Sequence, residues 1–170
     1  HIASSYSDVA DDVYLETADL RTSTSKSVIN KLKEFQSNGK MLDIGCGTGE
    51  FLEYASQYYQ TYGIELSTWA ATIALSKESK NKKIQEQIII SQTPISQLKI
   101  KDFNLVTLWG VIEHLDDPEA MVIEIKKRIS SDGYIALWTG DANSLPAKLL
   151  KKYWWYVIGQ HTPVSYTHLR

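Results

Sequence analysis

Gly45, Gly47 and Gly49 stand at alternate positions directly after the apolar run Met41-Leu42-Asp43-Ile44. Glycine takes the positive φ values of a tight turn and lets a ligand approach the backbone. Alone, such a cluster is weak evidence, and the alternative is a plain Gly-rich turn. Two acids strengthen it. Asp43 is a carboxylate inside an otherwise apolar segment, where an unpaired charge is costly to bury, so it is expected to order the loop or hold a cationic ligand group. Glu65 lies 16 residues past Gly49, at the end of a second apolar run, where a carboxylate can accept both hydroxyls of a ribose. Together these residues point to binding of a nucleoside.

A nicotinamide dinucleotide is one such ligand. Its fingerprint, G-x-G-x-x-G, wants the third glycine at position 50. Here that position is Glu50 and the glycine comes one residue early. A pyrophosphate on the following helix start would meet the Glu50 carboxylate, an unfavourable neighbour. A nucleoside without phosphates and with a cationic centre suits these charges better.

The elements that must position these residues follow from periodicity. Residues 1–20 are polar with scattered apolar positions and read as a short helix or ordered arm. Val28, Ile29, Leu32 and Phe35 predict a helix over Ser27 to Phe35, ended by Asn38-Gly39. Met41 to Ile44 is strand one, and Glu50 to Tyr59 is a helix with Phe51, Leu52, Ala55 and Tyr58 on one face. Thr61 to Glu65 is strand two, and Ser67 caps a helix from Thr68 to about Ser76. After a charged loop from Lys77 to Lys83, Gln87 to Ile90 and Phe103 to Trp109 are strands three and four. Asp117-Pro118 opens a helix running to Arg128, with proline at a first-turn position where its missing N–H costs nothing. Ser131-Asp132-Gly133 is a turn, Tyr134 to Thr139 is strand five, and an aromatic helix begins at Ser144 and runs to about Ile158. Apolar strands alternating with helices predict an α/β fold: a Rossmann-like, doubly wound, mostly parallel sheet with helices on both faces. Ligands in such sheets bind outside the strand carboxyl ends, where Gly45 to Gly49 and Glu65 fall.

Composition narrows the classes. The chain has 170 residues, 43% hydrophobic and 22% charged, with a formal charge of −2. That is one domain's length, and about two-thirds of the unfolded surface can be buried at this size. The charge gives no electrostatic reason to expect nucleic acid as partner. No run approaches the ~20 apolar residues of a membrane span, and no signal peptide is visible. A single cysteine, Cys46, excludes an internal disulfide framework and fits a reducing, cytoplasmic setting. The ends read as incomplete: the chain opens on His1, and Ser165-Tyr166-Thr167-His168-Leu169-Arg170, after Pro163 and Val164, resembles translated sequencing-adapter read-through or else is an ordinary loop. The expected organisation is an N-terminal helical cap over residues 1–39, a C-terminally truncated cofactor-binding domain over 40–162, and a non-native tail over 163–170.

The sequence resembles the class I S-adenosylmethionine (AdoMet)-dependent methyltransferases over about residues 6 to 161. Leu42-Asp43-Ile44-Gly45-Cys46-Gly47-Thr48-Gly49 is similar to their first motif, and Gly63-Ile64-Glu65-Leu66-Ser67 to the strand-two segment whose acid binds the ribose. Val111-Ile112-Glu113-His114-Leu115-Asp116-Asp117-Pro118 is similar to the segment after strand four in the subgroup with the ubiquinone-biosynthesis O-methyltransferases, and Ser131-Asp132-Gly133-Tyr134 to the turn before strand five.

The resemblance implies AdoMet as cofactor, held by Asp43, Gly45, Cys46, Gly47, Gly49, Glu65 and Leu66, with Trp109, Gly110 and Val111 lining its other side. Arg21, on the helix before strand one, becomes the candidate for the cofactor carboxylate; the alternative is a surface arginine. The family's acid after strand three is missing from Ser91-Gln92-Thr93-Pro94-Ile95, and Phe103-Asn104 replaces the usual Phe-Asp. The last two strands of the full fold have no room, which would leave a strand edge exposed. No metal is expected, since the acid some relatives place where Gly110 stands is lacking.

Methyl transfer is an in-line displacement from a sulfonium, and holding the partners in line supplies much of the rate. A hydroxyl acceptor benefits from a base, and His114 is the candidate; the alternative is that Glu113 and His114 shape the loop and cap the next helix. Tyr153-Trp154-Trp155-Tyr156 with His161 could cover an acceptor pocket or pack as a lid helix, and Lys148, Lys151 and Lys152 give a weak hint of a membrane surface. The leading expectation is methyl transfer to a small-molecule or lipid-linked acceptor, at oxygen. A nicotinamide oxidoreductase and a non-catalytic AdoMet-binding module remain the alternatives.

Overall fold

The computed structural model describes residues 16–76, 88–141, 144 and 148–149. The predicted N-terminal arm up to residue 15, the charged loop from Lys77, the aromatic segment through His161 and the tail lie outside them. The chain runs α1 (Ala18–Leu32), β1 (Lys40–Ile44), α2 (Glu50–Ala55), β2 (Gln60–Ile64), α3 (Thr68–Ser76), β3 (Ile88–Ser91), a 3-10 turn (Ile95–Gln97), β4 (Phe103–Trp109), a second 3-10 turn (Ile112–His114), α4 (Pro118–Lys126) and β5 (Ile129–Trp138). The five strands form one sheet in the order β3-β2-β1-β4-β5, every pair parallel. The order reverses beside β1, so β1, β2 and β4 deliver their carboxyl ends to one place, as Rossmann-like sheets do.

Alternation along β1 divides its side chains between two apolar layers. Leu42 and Ile44 join Tyr62, Ile64, Phe103, Val106 and Leu108 beneath Ile95 and Ile125, the latter from α4. Met41 and Leu105 pack on the other face against Ile29 of α1 and Phe51 and Ala55 of α2. Asp43 belongs to this second face, flanked in register by Gly63 and Thr107. The sheet is therefore covered on both sides.

Several boundaries differ from the sequence reading. α1 begins at Ala18, nine residues before the predicted start. Its early turns are polar, and Thr24 and Ser25 satisfy their hydroxyls within the helix on the carbonyls of Leu20 and Arg21 at 2.9 and 2.7 Å. Phe35 lies past its end and is exposed. α2 stops at Ala55 rather than Tyr59, because Tyr59 turns back into the core and donates its hydroxyl to Gln36 O. Ser131-Asp132-Gly133 does not break β5. The strand begins at Ile129 and bulges there, pairing Ile129 with Phe103 and Tyr134 with Leu105. Ser130 Oγ donates to Phe103 O at 3.0 Å across that bulge.

Candidate functional site

The glycine loop is held by the end of β2. Gly45, Gly47 and Gly49 have φ of 73°, 55° and 85°, values that disfavour any side chain. The Gly45 and Cys46 N–H groups both donate to Ile64 O, at 2.7 and 3.1 Å. The Gly47 N–H donates to Glu65 Oε2 at 2.8 Å, and the Ser67 N–H to Glu65 Oε1 at 2.8 Å. Glu65 thus bridges the loop and the start of α3, whose Ala70 N–H meets the predicted cap, Ser67 Oγ, at 3.3 Å. Each carboxylate oxygen has a second lone pair, and Glu65 is half-buried, so it can still take a vicinal diol. Leu66, next to it, is exposed.

Ordering the loop therefore falls to Glu65 and Ile64, and Asp43 does something else. Its carboxyl is buried and accepts the Thr107 hydroxyl at 2.6 Å. Burial pushes its pKa up to about 7; the Thr107 hydrogen bond opposes the rise and the Glu65 charge adds to it. Cys46 is also buried, and desolvation with the neighbouring carboxylates of Asp43 and Glu65 pushes its thiol pKa upward. It is a packing thiol, not a nucleophile.

On the far side of the loop, Arg21 Nη2 lies 3.2 Å from Glu50 Oε1, and the Thr48 hydroxyl reaches the same carboxylate at 2.7 and 2.8 Å. Arg21 is thus drawn to the loop, not left as a plain surface arginine. Glu50 is buried beside this cation, a partnership that sequence spacing across 29 positions does not reveal.

The exit of β4 meets the same loop. A Cβ placed on Gly45 would stand 2.5 Å from Val111 Cγ2. The Gly110 N–H donates to Trp138 O at 2.9 Å. The Trp109 ring packs edge-on against Phe51 with centroids 5.3 Å apart, and its buried Nε1–H finds no acceptor among the described residues. Glu113 is buried and accepts from Thr139 Oγ1 at 3.1 Å, while His114 is half-buried on the second 3-10 turn. Neither caps α4. Asp117 does, accepting the Ala120 N–H at 2.9 Å ahead of Pro118. After β3, Gln92, Thr93 and Pro94 are exposed, and Asn104 Oδ1 accepts the Lys40 N–H at 2.9 Å. Among the described residues no group of three His, Cys, Asp or Glu is placed to hold a metal, and no helix is long and apolar enough to cross a membrane.

Thr107, Thr48 and Thr139 are the members that the sequence reading missed. Thr107 and Thr139 are neutral residues whose roles appear only when a carboxylate from another element reaches them, whereas Thr48 meets Glu50 two positions along the chain. The site as assembled offers positive-φ backbone, a carboxylate with lone pairs to spare and a buried indole donor with no acceptor among the described residues. That set fits a nucleoside cofactor, and a sheet ordered 3-2-1-4-5 with this loop at its switch point defines a nucleoside-binding α/β domain.

Comparison with known proteins agrees. The family model described as a methyltransferase domain matches residues 17–170. The mitochondrial ubiquinone biosynthesis O-methyltransferase of Candida albicans is 28% identical over 142 residues, 76% of this chain and 43% of that protein. The crystal structure of the YcgJ protein of Bacillus subtilis superposes with a TM-score of 0.57 at 25% identity, covering 67% of this chain and 49% of that one. The glycopeptide N-methyltransferase MtfA, complexed with AdoMet, shares the fold at a TM-score of 0.58 and 17% identity, over 72% of this chain and 57% of that one. The chain belongs to the methyltransferase-domain family, among the class I AdoMet-dependent methyltransferases. It spans about half the length of the curated relatives it matches.

Proposed function

We propose that the complete protein transfers a methyl group from AdoMet to a hydroxyl of a small or lipid-linked molecule. The observation that carries this reading is Glu65: one carboxylate takes the Gly47 and Ser67 N–H groups at 2.8 Å each and keeps a lone pair on each oxygen for a ribose. Gly45, Cys46, Gly47 and Gly49 give the backbone cradle, Asp43 the buried acid beneath it, and Leu66, Trp109, Gly110 and Val111 its walls. AdoMet supplies an electrophilic methyl on a sulfonium. The chain's residues bind and align it, and His114, just past β4, takes the proton of the acceptor hydroxyl. Oxygen as the methylated atom is supported by the O-methyltransferases among the relatives. A cytoplasmic setting is the reading favoured by a chain with one buried cysteine.

Calorimetry tests the cofactor. AdoMet and its demethylated product, S-adenosylhomocysteine, are expected to bind one to one, and NAD not to bind. Glu65→Ala is expected to weaken both by about 10–100-fold, the loss of a charge-assisted hydrogen bond. Unchanged affinity in a folded variant would remove the ribose assignment.

Single-turnover methylation by the complete protein, across a pH series, tests the base. His114→Ala is expected to lower the rate by about 10²–10⁴-fold and AdoMet affinity far less. A drop below about threefold with an unmoved pH profile would leave positioning as the source of rate. Absence of any turnover with hydroxyl acceptors, despite tight AdoMet binding, would favour a non-catalytic module.

A further inference from the structure

Trp109 ends β4 beside the glycine loop, and its indole carries a donor that the fold leaves over. Leu105, Thr107 and Trp109 fall on one face of the strand. Thr107 gives its hydroxyl to Asp43 at 2.6 Å, while Leu105 and Trp109 pack in the apolar layer of Met41, Ile29 and Phe51. The Trp109 ring is set edge-on to Phe51 of α2, with centroids 5.3 Å apart. Its Nε1 is buried and meets no acceptor among the described residues. An indole N–H only donates, and it normally finds a partner when buried, because a buried donor left unmade costs its full desolvation. Such a donor at the ligand end of a strand fits an acceptor that arrives with the cofactor.

We infer that the Trp109 indole N–H donates to the carboxylate of AdoMet, and so selects cofactors that carry an intact amino-acid end. The inference rests on the reading of this loop as the AdoMet site. β2 and β4 lie on opposite sides of β1, with Glu65 just past the end of β2 and Trp109 at the end of β4. With the ribose at Glu65, the groups left to meet β4 belong to the methionyl end. Of these the sulfonium is a cation, the ammonium only donates, and the carboxylate is the strong acceptor. The same side of the loop carries a cation: Arg21 reaches Glu50 at 3.2 Å, the residue before Phe51. Trp109 and Arg21 thus border the first turn of α2 together, which suits an anionic group, the one for which the resemblance makes Arg21 a candidate.

A cycle across protein and ligand tests this. The complete protein, as wild type and as Trp109→Phe, is titrated with S-adenosylhomocysteine and with its decarboxylated analogue, which keeps the amine. Phenylalanine leaves an aromatic ring against Phe51 and removes the N–H. Trp109→Phe is expected to weaken S-adenosylhomocysteine about tenfold, the loss of one hydrogen bond to a charged acceptor, and the analogue by less than about twofold. Equal losses for both ligands would mean that the ring matters and the N–H does not, and would overturn the inference. Unchanged affinity for S-adenosylhomocysteine in the variant overturns it too. So does a wild type that binds the analogue as tightly as S-adenosylhomocysteine, since the carboxylate then goes unrecognised. These three outcomes leave the cofactor reading intact. If the wild type binds neither AdoMet nor S-adenosylhomocysteine, that reading fails and the inference fails with it. If Trp109→Phe does not fold, the indole N–H resonances of the isotope-labelled wild type decide, assigned by elimination with Trp69→Phe, Trp138→Phe, Trp154→Phe and Trp155→Phe. S-adenosylhomocysteine is expected to shift the Trp109 resonance downfield and the analogue to leave it in place; the same response to both overturns the inference.

Discussion

Asp43 keeps its proton far above the usual carboxylate range because its environment withholds water and offers one hydroxyl. The unfolded chain ionises near 3.8 and the folded chain near 7. Between those values the folded state binds more protons, so stability falls as pH rises from about 4 through about 7 and levels off above. Asn has the shape of the protonated acid and carries no charge to desolvate. Asp43→Asn is therefore expected to add stability on the order of 4 kcal/mol at pH 8 and little at pH 4, and to bind cationic AdoMet more weakly, since an ionised carboxyl beneath the loop favours a cation. Denaturant melts at the two pH values check this; an equal gain at both would show that the carboxyl does not titrate in that range. The charge in an apolar strand was legible in the sequence as a sign of special use. Its partner was not, because Thr107 is 64 positions away and becomes a neighbour only once β4 lies beside β1.

At the scale of elements, the loop after β1 is placed by how closely α2 approaches β2. Gly63 makes that approach possible. A Cβ there would stand 2.7 Å from both Cys46 Sγ and Leu52 Cδ1, one in the loop and one in α2. Gly63→Ala is expected to cost about 1–3 kcal/mol through overpacking, seen as a lowered denaturation midpoint with an unchanged denaturant slope. Cofactor affinity is expected to fall as well, because Cys46 must shift. A variant as stable as wild type would mean that Leu52 and Cys46 have room to move. The strand pattern itself was readable: β4 spans Phe103–Trp109 as its apolar run predicts, β1 differs from prediction by one residue at its start, and β2 and β3 by one residue at each end. The helices at Glu50, Thr68 and Pro118 begin where the sequence predicts, and only the start of α1 was missed. The first turns of α1 have no apolar period to announce them; their hydroxyls are satisfied by the helix's own carbonyls, and Arg21 reaches Glu50 across the fold. The bulge in β5 was hidden for a similar reason. Ser-Asp-Gly is turn chemistry by composition, yet pairing with β4 on both sides keeps it extended.

For the molecule as a whole, the sheet order leaves β5 outermost among the described residues. Its neighbour β4 is almost wholly buried, but Tyr134, Ile135, Leu137 and Trp138 are 39–52% exposed. They alternate between the two faces of the strand, so both faces present apolar surface next to an outer strand edge. Such an edge is a template for pairing with another chain unless charge, proline or a cover blocks it. The net charge of −2 offers little repulsion to keep copies apart. The polypeptide of these 170 residues, prepared alone, is therefore expected to associate as its concentration rises. Leu137→Lys and Ile135→Lys are expected to suppress that association, since a lysine on an outer strand opposes edge-to-edge pairing. Neither residue lies in the glycine loop or at Glu65, so S-adenosylhomocysteine affinity should change little in either variant. Sedimentation velocity over a hundredfold concentration range, with and without the substitutions, decides the matter. A chain that stays monomeric throughout, or one whose association ignores both lysines, would mean that β5's exposed face is not what draws copies together.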